Sequence, residues 1–256
     1  MFDAIIEMYR GKSLGANETC SSCNKDSKRQ GFGEISKPLS ICHVGSNFHA
    51  DKYKILFVGK NARGTSSDFC NAWPYVIDAR KGEYSAKNLF FNYNKTFWSY
   101  TKEIACRLLD CKPEDAFESI AITNLIKCNN AVHNEGTNFD GTYSDYTTKK
   151  MKDNCMGEMK VFWEEVNILK PKHIILYTHY NYDDYLETFP DYYSPHYVGN
   201  KTEKSCGVKC IRWWDREFYR NGDLPMRVLI TSHPERKKKE EFISMITRWI
   251  QKATSE

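Results

Sequence analysis

YKILFVG, residues 53–59, is the stretch that decides the fold. Ile55, Leu56, Phe57 and Val58 are consecutive apolar residues that stop at Gly59. The run is too short for a helix and does not alternate, as a strand buried on both faces would not. Three further runs have the same character: SIAITNLI at 119–126, HIILYT at 173–178 and MRVLIT at 226–231. Between and around them lie segments of helical periodicity. DAIIEMYR at 3–10 predicts a short helix, FWSYTKEIACRLL at 97–109 a second, and 150–169, with Met156, Met159, Phe162 and Trp163, one long helix. Residues 240–252 predict a terminal amphipathic helix with Phe242, Ile243, Met245, Ile246 and Trp249 inward. Buried strands alternating with helices predict an α/β fold: a three-layer α/β/α sandwich around a central, mostly parallel four-stranded sheet. Such sheets bind ligands outside the carboxyl ends of their strands. Polar residues gather at three of those ends: Gly59-Lys60-Asn61, Asn124, and Ser232-His233-Pro234.

The 256 residues suit one domain spanning 1–256, with a cysteine-containing N-terminal segment at 1–50 and an aromatic-rich insertion at 179–222. That insertion holds Tyr180, Tyr182, Tyr185, Tyr192, Tyr193, Trp213, Trp214, Phe218 and Tyr219, which either stack on a ligand or pack as a satellite core. No apolar run approaches a membrane span and the start lacks a secretory pattern, so a cytoplasmic protein is expected. Net charge is only +4, but Arg236-Lys237-Lys238-Lys239 forms one dense basic run beside His233. Ten cysteines without an export signal argue against a disulfide framework. Cys20 and Cys23 form a C-x-x-C in a polar loop, a poor place for packing cysteines. The glycine loop at 59–64 matches neither a Walker nor a G-x-G-x-x-G pattern, which speaks against a nucleotide cofactor.

Five segments, in this order, resemble the uracil-DNA glycosylase superfamily, most closely its iron–sulfur family 4: KILFVGKNARG at 54–64, NAWPYV at 71–76, AITNLIKC at 121–128, ILKPKHIIL at 168–176 and VLITSHP at 228–234. The resemblance covers most of the chain. It implies a monomeric, monofunctional DNA glycosylase that flips a pyrimidine from DNA and hydrolyses its N-glycosidic bond, leaving an abasic site. It carries over Cys20, Cys23, Cys128 and Cys155 as ligands of a [4Fe-4S] cluster. Four cysteinates equally suit a structural zinc, and Cys128 and Cys155 also read as buried thiols with no metal. Asn61 becomes the residue that orients the attacking water, and His233 the donor that stabilises the departing base. Asn124 reads the base edge, Tyr75 is the stacking platform, and Gly59 and Lys60 complete the substrate site. Arg63, Ser232, Arg236, Lys237, Lys238 and Lys239 fall to DNA contacts. Read without the resemblance, Asn61 is a turn-capping loop residue and Tyr75 a core tyrosine.

The chain departs from the family pattern in the first loop, where Lys60 replaces an acidic residue and Ala62-Arg63-Gly64 replace the usual proline and tight glycine. With the long segments at 129–150 and 179–222, this leaves two substrates open: uracil, or a modified cytosine such as glucosylated 5-hydroxymethylcytosine, which an anti-phage branch of the superfamily excises. It also leaves open a catalytically inactive DNA-binding module with the same fold.

Overall fold

Each apolar run of the sequence becomes a strand of one sheet. The computed structural model describes residues 1–31, 35–61, 76–81, 85–128, 130–131, 143–144, 147–178, 180–187, 189–190, 193–197, 200–220 and 225–252. In chain order the elements are α1 (Phe2–Gly11), α2 (Glu18–Arg29), β1 (His43–Val44), β2 (Ile55–Asn61), α3 (Ala86–Asn92), α4 (Thr96–Leu109), α5 (Pro113–Glu118) and β3 (Ala121–Ile126). A small ribbon, β4 (Asn130–Ala131) with β5 (Tyr143–Ser144), precedes α6 (Lys149–Lys152), a π-helical turn (Asp153–Glu158), α7 (Val161–Leu169) and β6 (His173–Tyr177). A 3₁₀ turn at Tyr180–Tyr182 and α8 (Asp183–Leu186) lead to β7 (Tyr193–Tyr197), β8 (Thr202–Cys206), β9 (Lys209–Arg220), β10 (Met226–Thr231) and α9 (Lys239–Lys252).

Strands β3, β2, β6 and β10 lie side by side and run parallel, forming the expected four-stranded core. The sheet itself is larger than four strands. It has eight, because β1 adds antiparallel to β3, β9 adds antiparallel to β10, and β7 and β8 both pair with β9. Of the extra strands, β1 comes from the N-terminal segment, and β7, β8 and β9 come from the aromatic insertion, whose sequence gives no clean alternation. In β9, Ile211 and Trp213 are buried on one face of the sheet, while Trp214 and Phe218 are buried on the other. Both faces of the strand are covered, so no period of two survives in its hydrophobicity. Trp213, Trp214, Phe218 and Tyr193 are core residues, while Tyr180 and Tyr219 are exposed.

Helices cover both faces of the parallel core. Leu56, Val58, Ile174, Leu176, Val228 and Ile230 pack against Ile5 and Tyr9 of α1 and Phe162, Trp163 and Val166 of α7. Their alternating neighbours Ile55, Phe57, Ile175, Tyr177 and Leu229 pack against Ile104 and Leu108 of α4 and Phe242 and Ile246 of α9. Each such burial contributes about 1.5–3 kcal/mol, so the two-sided pattern dictates the layering. The connection from β2 to β3 runs over the α4 face, and that from β3 to β6 over the α7 face. The chain therefore changes face between β2 and β6, and the crevice at their carboxyl ends is the place where such sheets hold ligands. Among the described residues no helix is long and apolar enough to cross a membrane.

Two local expectations change. Cys20 and Cys23 lie not in a loop but in α2, which Asn17 caps by accepting the Cys20 N–H at 2.7 Å. The long helix expected at 150–169 is broken into α6, the π turn and α7, with Lys160 in a left-handed conformation (φ 49°) before α7. Cys155 sits in the π turn, and π turns recur where a helix is bent to serve a site.

Candidate functional site

The carboxyl edge is built first by β2 and β3. Asn61 is the last residue of β2 and so belongs to the sheet rather than to a loop; its side chain is half-buried, as is that of Lys60. Gly59 faces Asn124 in the parallel register, and the Asn124 side chain lies across it. A Cβ at residue 59 would stand 2.4 Å from Asn124 Oδ1 and 3.6 Å from Phe97, so only glycine admits the asparagine in this position. Asn124 Nδ2 donates to the Cys42 thiol at 3.4 Å, while its backbone oxygen accepts from Lys127 Nζ at 2.7 Å. Both ends of the residue are therefore held. Burial pushes the Cys42 thiol up to about 12, so it stays neutral beside the amide.

Beneath Asn124 lies a buried polar network. Lys127 and Glu165 of α7 are almost wholly buried and pair at 2.6 Å. Lys127 Nζ also donates to Thr123 Oγ1 at 2.7 Å, and Thr123 donates to Glu165 Oε2 at 2.8 Å. The Tyr9 hydroxyl of α1 donates to the other carboxylate oxygen and accepts the Ile41 N–H at 3.0 Å. Burial, with Glu165 next to it, raises the Tyr9 phenol well above its ordinary range. The network ties α1, α7 and the segment that holds Ile41 to the end of β3. Lys127 was legible only as part of NLIKC, and nothing in the sequence paired it with Glu165 or Tyr9.

On the other side of the crevice, His233 follows β10. Neighbouring strands lie about 4.8 Å apart. β10 therefore lies about 10 Å from β2, with β6 between them, and His233 follows β10 by two residues. The imidazole is partly exposed, and its Nδ1 accepts the Glu235 N–H at 3.2 Å. The Glu235 carboxylate is 3.9 Å from the same nitrogen, beyond hydrogen-bond reach. Neutral His233 then carries its proton on Nε2, as a donor.

Ser232 and the basic run have structural partners. Ser232 Oγ accepts the Arg212 N–H at 2.9 Å, fastening β9 to the end of β10. Lys237 Nζ donates to the Cys210 carbonyl at 3.2 Å, Lys238 pairs with Glu241, and Lys239 lies 4.0 Å from Glu103. Arg236 is exposed at the tip of the turn with φ 62°. The run is thus a braced turn before α9. Arg63 and Tyr75 lie outside the described residues, as do Ala62, Gly64 and Pro74. Phe97, which sequence reading left as a helix residue, is the aromatic ring beside Gly59 and packs edge-on against Tyr177.

Cys20, Cys23, Cys128 and Cys155 line one pocket, together with Leu14, Ile35, Ile126, Lys127, Met151 and Met159. Two cysteines come from one face of α2, one follows β3, and one comes from the π turn. Their sulfurs receive N–H donors: Gly15 N to Cys20 at 3.1 Å and Asn154 Nδ2 to Cys23 at 3.0 Å, with the Lys127 N–H on Cys155. Burial pushes Cys23 to about 11 and Cys155 to about 12. Burial also raises Cys128 well above the ordinary thiol range, with the other three cysteines adding to the effect. Thiols whose ionisation is opposed by burial and by each other, yet which are met by N–H donors, suit a cationic centre. Among the described residues no three His, Cys, Asp or Glu side chains converge on one point as the ligands of a single ion do. A search of protein-family models and a search of curated proteins both returned no match to this chain.

Proposed function

We propose that the protein is a monofunctional DNA glycosylase of the uracil-DNA glycosylase type, which flips a pyrimidine out of DNA and hydrolyses its N-glycosidic bond. The observation that carries this reading is the meeting of Cys20, Cys23, Cys128 and Cys155, drawn from three separated parts of the chain, around one pocket. These are the four residues that the family resemblance singled out as cluster ligands. Four cysteines lining one pocket suit a [4Fe-4S] group, with a structural zinc as the alternative. Such a group would supply anchorage, tying α2 and the π turn to the segment after β3.

The chemistry falls to the chain's own residues. Asn124, held from both ends, presents an amide to the base edge, while Gly59 leaves it room. Asn61 orients a water towards the sugar. The water oxygen bonds to C1′ as the C1′–N bond breaks, and that electron pair leaves with the base. His233 Nε2–H donates to the oxygen on which the negative charge develops. The water's proton ends on the departing base, so the products are the free base and an abasic sugar. Uracil and a modified cytosine such as glucosylated 5-hydroxymethylcytosine are the candidate substrates.

Two measurements test the reading. The purified protein should contain iron and acid-labile sulfide at about four of each per chain; zinc in their place would make the centre a structural ion. In a base-release assay on DNA carrying uracil, 5-hydroxymethylcytosine or its glucosylated form, alkali should reveal abasic sites. Asn61→Ala should lower the rate about 10²-fold or more. Failure of the native protein to release any base while still binding DNA would replace this reading with an inactive binding module.

A further inference from the structure

We infer that Tyr180 is a platform on which an unpaired nucleobase of the DNA strand beside the crevice stacks. The inference rests on the glycosylase reading for its ligand and adds a binding residue beyond those that hold the flipped base. Tyr180 begins the 3₁₀ turn after β6, and the Thr178 N–H before it still donates to the Thr231 carbonyl at 3.0 Å. The turn thus leaves the sheet at its carboxyl edge, where the crevice lies. The ring is 57% exposed, and two side chains hold it in place. Arg212 lies under one face, its Cζ 4.5 Å from the ring centre. The hydroxyl donates to Glu203 of β8 at 3.1 Å, so that carboxylate stands at the rim of the ring and not over its open face.

The support is a buried cation. Arg212 is 3% exposed and pairs with Asp183, yet its Nε and Nη1 are buried and donate to no acceptor among the described residues. Unmet buried donors destabilise a fold, so hydrogen bonding does not explain the residue. Its flat face does. The guanidinium lies against Tyr180 and 5.8 Å from the centre of Trp214, which makes Tyr180 the outer layer of a stack anchored in the core. The Arg212 N–H donates to Ser232 Oγ at 2.9 Å, fastening that stack to the residue before His233. The open face suits one class of ligand. A cation under the ring already draws on its π-density, so the free face is poorer for a second cation or for the C–H groups of a sugar. Stacking of a neutral base, which rests on dispersion and contact area, is kept. A protein's apolar face would find a single ring here, because the other exposed large apolar side chains among the described residues are Val208 in the β8–β9 turn and Tyr219 near the end of β9. One base needs no more than that. Lys152 Nζ donates to the Asn181 carbonyl at 3.2 Å, which places a cation beside the turn for the strand's phosphates, while Asp183 and Glu187 are paired with Lys201.

Binding of the full chain to a single-stranded oligothymidylate, which carries neither candidate substrate base, is measured by fluorescence anisotropy beside a strand of equal length that lacks bases. Tyr180→Ala and Tyr180→Leu should each bind the thymine strand about tenfold more weakly than the native protein, because one base loses its aromatic partner. Tyr180→Phe keeps the ring and should bind as the native protein does. On the baseless strand all four proteins should bind alike. The platform is overturned if Tyr180→Ala, with its melting temperature intact, keeps native affinity for the thymine strand or loses as much on the baseless one. A native protein that binds neither strand overturns it as well. Base release decides the glycosylase reading separately. A native protein that releases no base, yet whose thymine binding depends on the Tyr180 ring, sinks the enzyme and leaves the platform standing.

Discussion

Replacing Lys127 by methionine is expected to destabilise the fold by about 3–5 kcal/mol, the cost of leaving a buried charge without its partner. At about 2–4 °C per kcal/mol in a chain of this size, the melting temperature should fall by roughly 6–20 °C. Methionine keeps the length of the side chain, so the loss is electrostatic rather than a cavity. Glu165 would retain only the Tyr9 and Thr123 hydroxyls as donors, in a place solvent does not reach. Adding Glu165→Gln to Lys127→Met removes the stranded charge and should restore much of the loss. Thermal or urea unfolding of the two variants checks this. A loss below about 1 kcal/mol in Lys127→Met would mean that the pair contributes no more than an exposed ion pair.

His233→Ala is expected to lower base release by about 10²–10³-fold, as removing one charge-stabilising donor does elsewhere. Its effect on folding should be small, because the ring is partly exposed and its bond to the Glu235 N–H lies within one turn. On the glycosylase reading, the neutral ring is the form that the geometry suits. With Nδ1 accepting a backbone N–H, neutral imidazole already has its proton on Nε2. The native rate should therefore persist as the solution is made mildly alkaline. A rate that falls there, and falls less in His233→Gln, would assign the work to the imidazolium instead.

The parallel core was legible because β2, β3, β6 and β10 are buried on both faces, and continuous apolar runs such as ILFV and VLI leave few other structures open. The cysteine pocket was legible in its membership but not in its architecture. Four residues carried over by resemblance meet there, yet the sequence placed Cys20 and Cys23 in a loop and Cys155 in an unbroken helix. Those errors share one cause. Asn17 as an N-cap and a π turn at Asp153–Glu158 are local hydrogen-bond choices that hydrophobic period does not record. Antiparallel β7, β8 and β9 were missed because tryptophans stand on both faces of β9 and Arg212 and Arg216 share the face of Trp214. Cys42, Lys127, Glu165 and Phe97 escaped for a simpler reason: each acts through contacts 30 or more residues away.

The order in which the pocket's pieces occur along the chain sets the order in which the protein can be made. Every residue lining the cysteine pocket lies between Leu14 and Met159, ahead of both β6 and β10. Chains emerge from the ribosome amino end first, and strand β10 can add only to a β6 already docked on β2. On the proposed reading, every residue that would surround the metal is therefore synthesised before the strand that leads to His233.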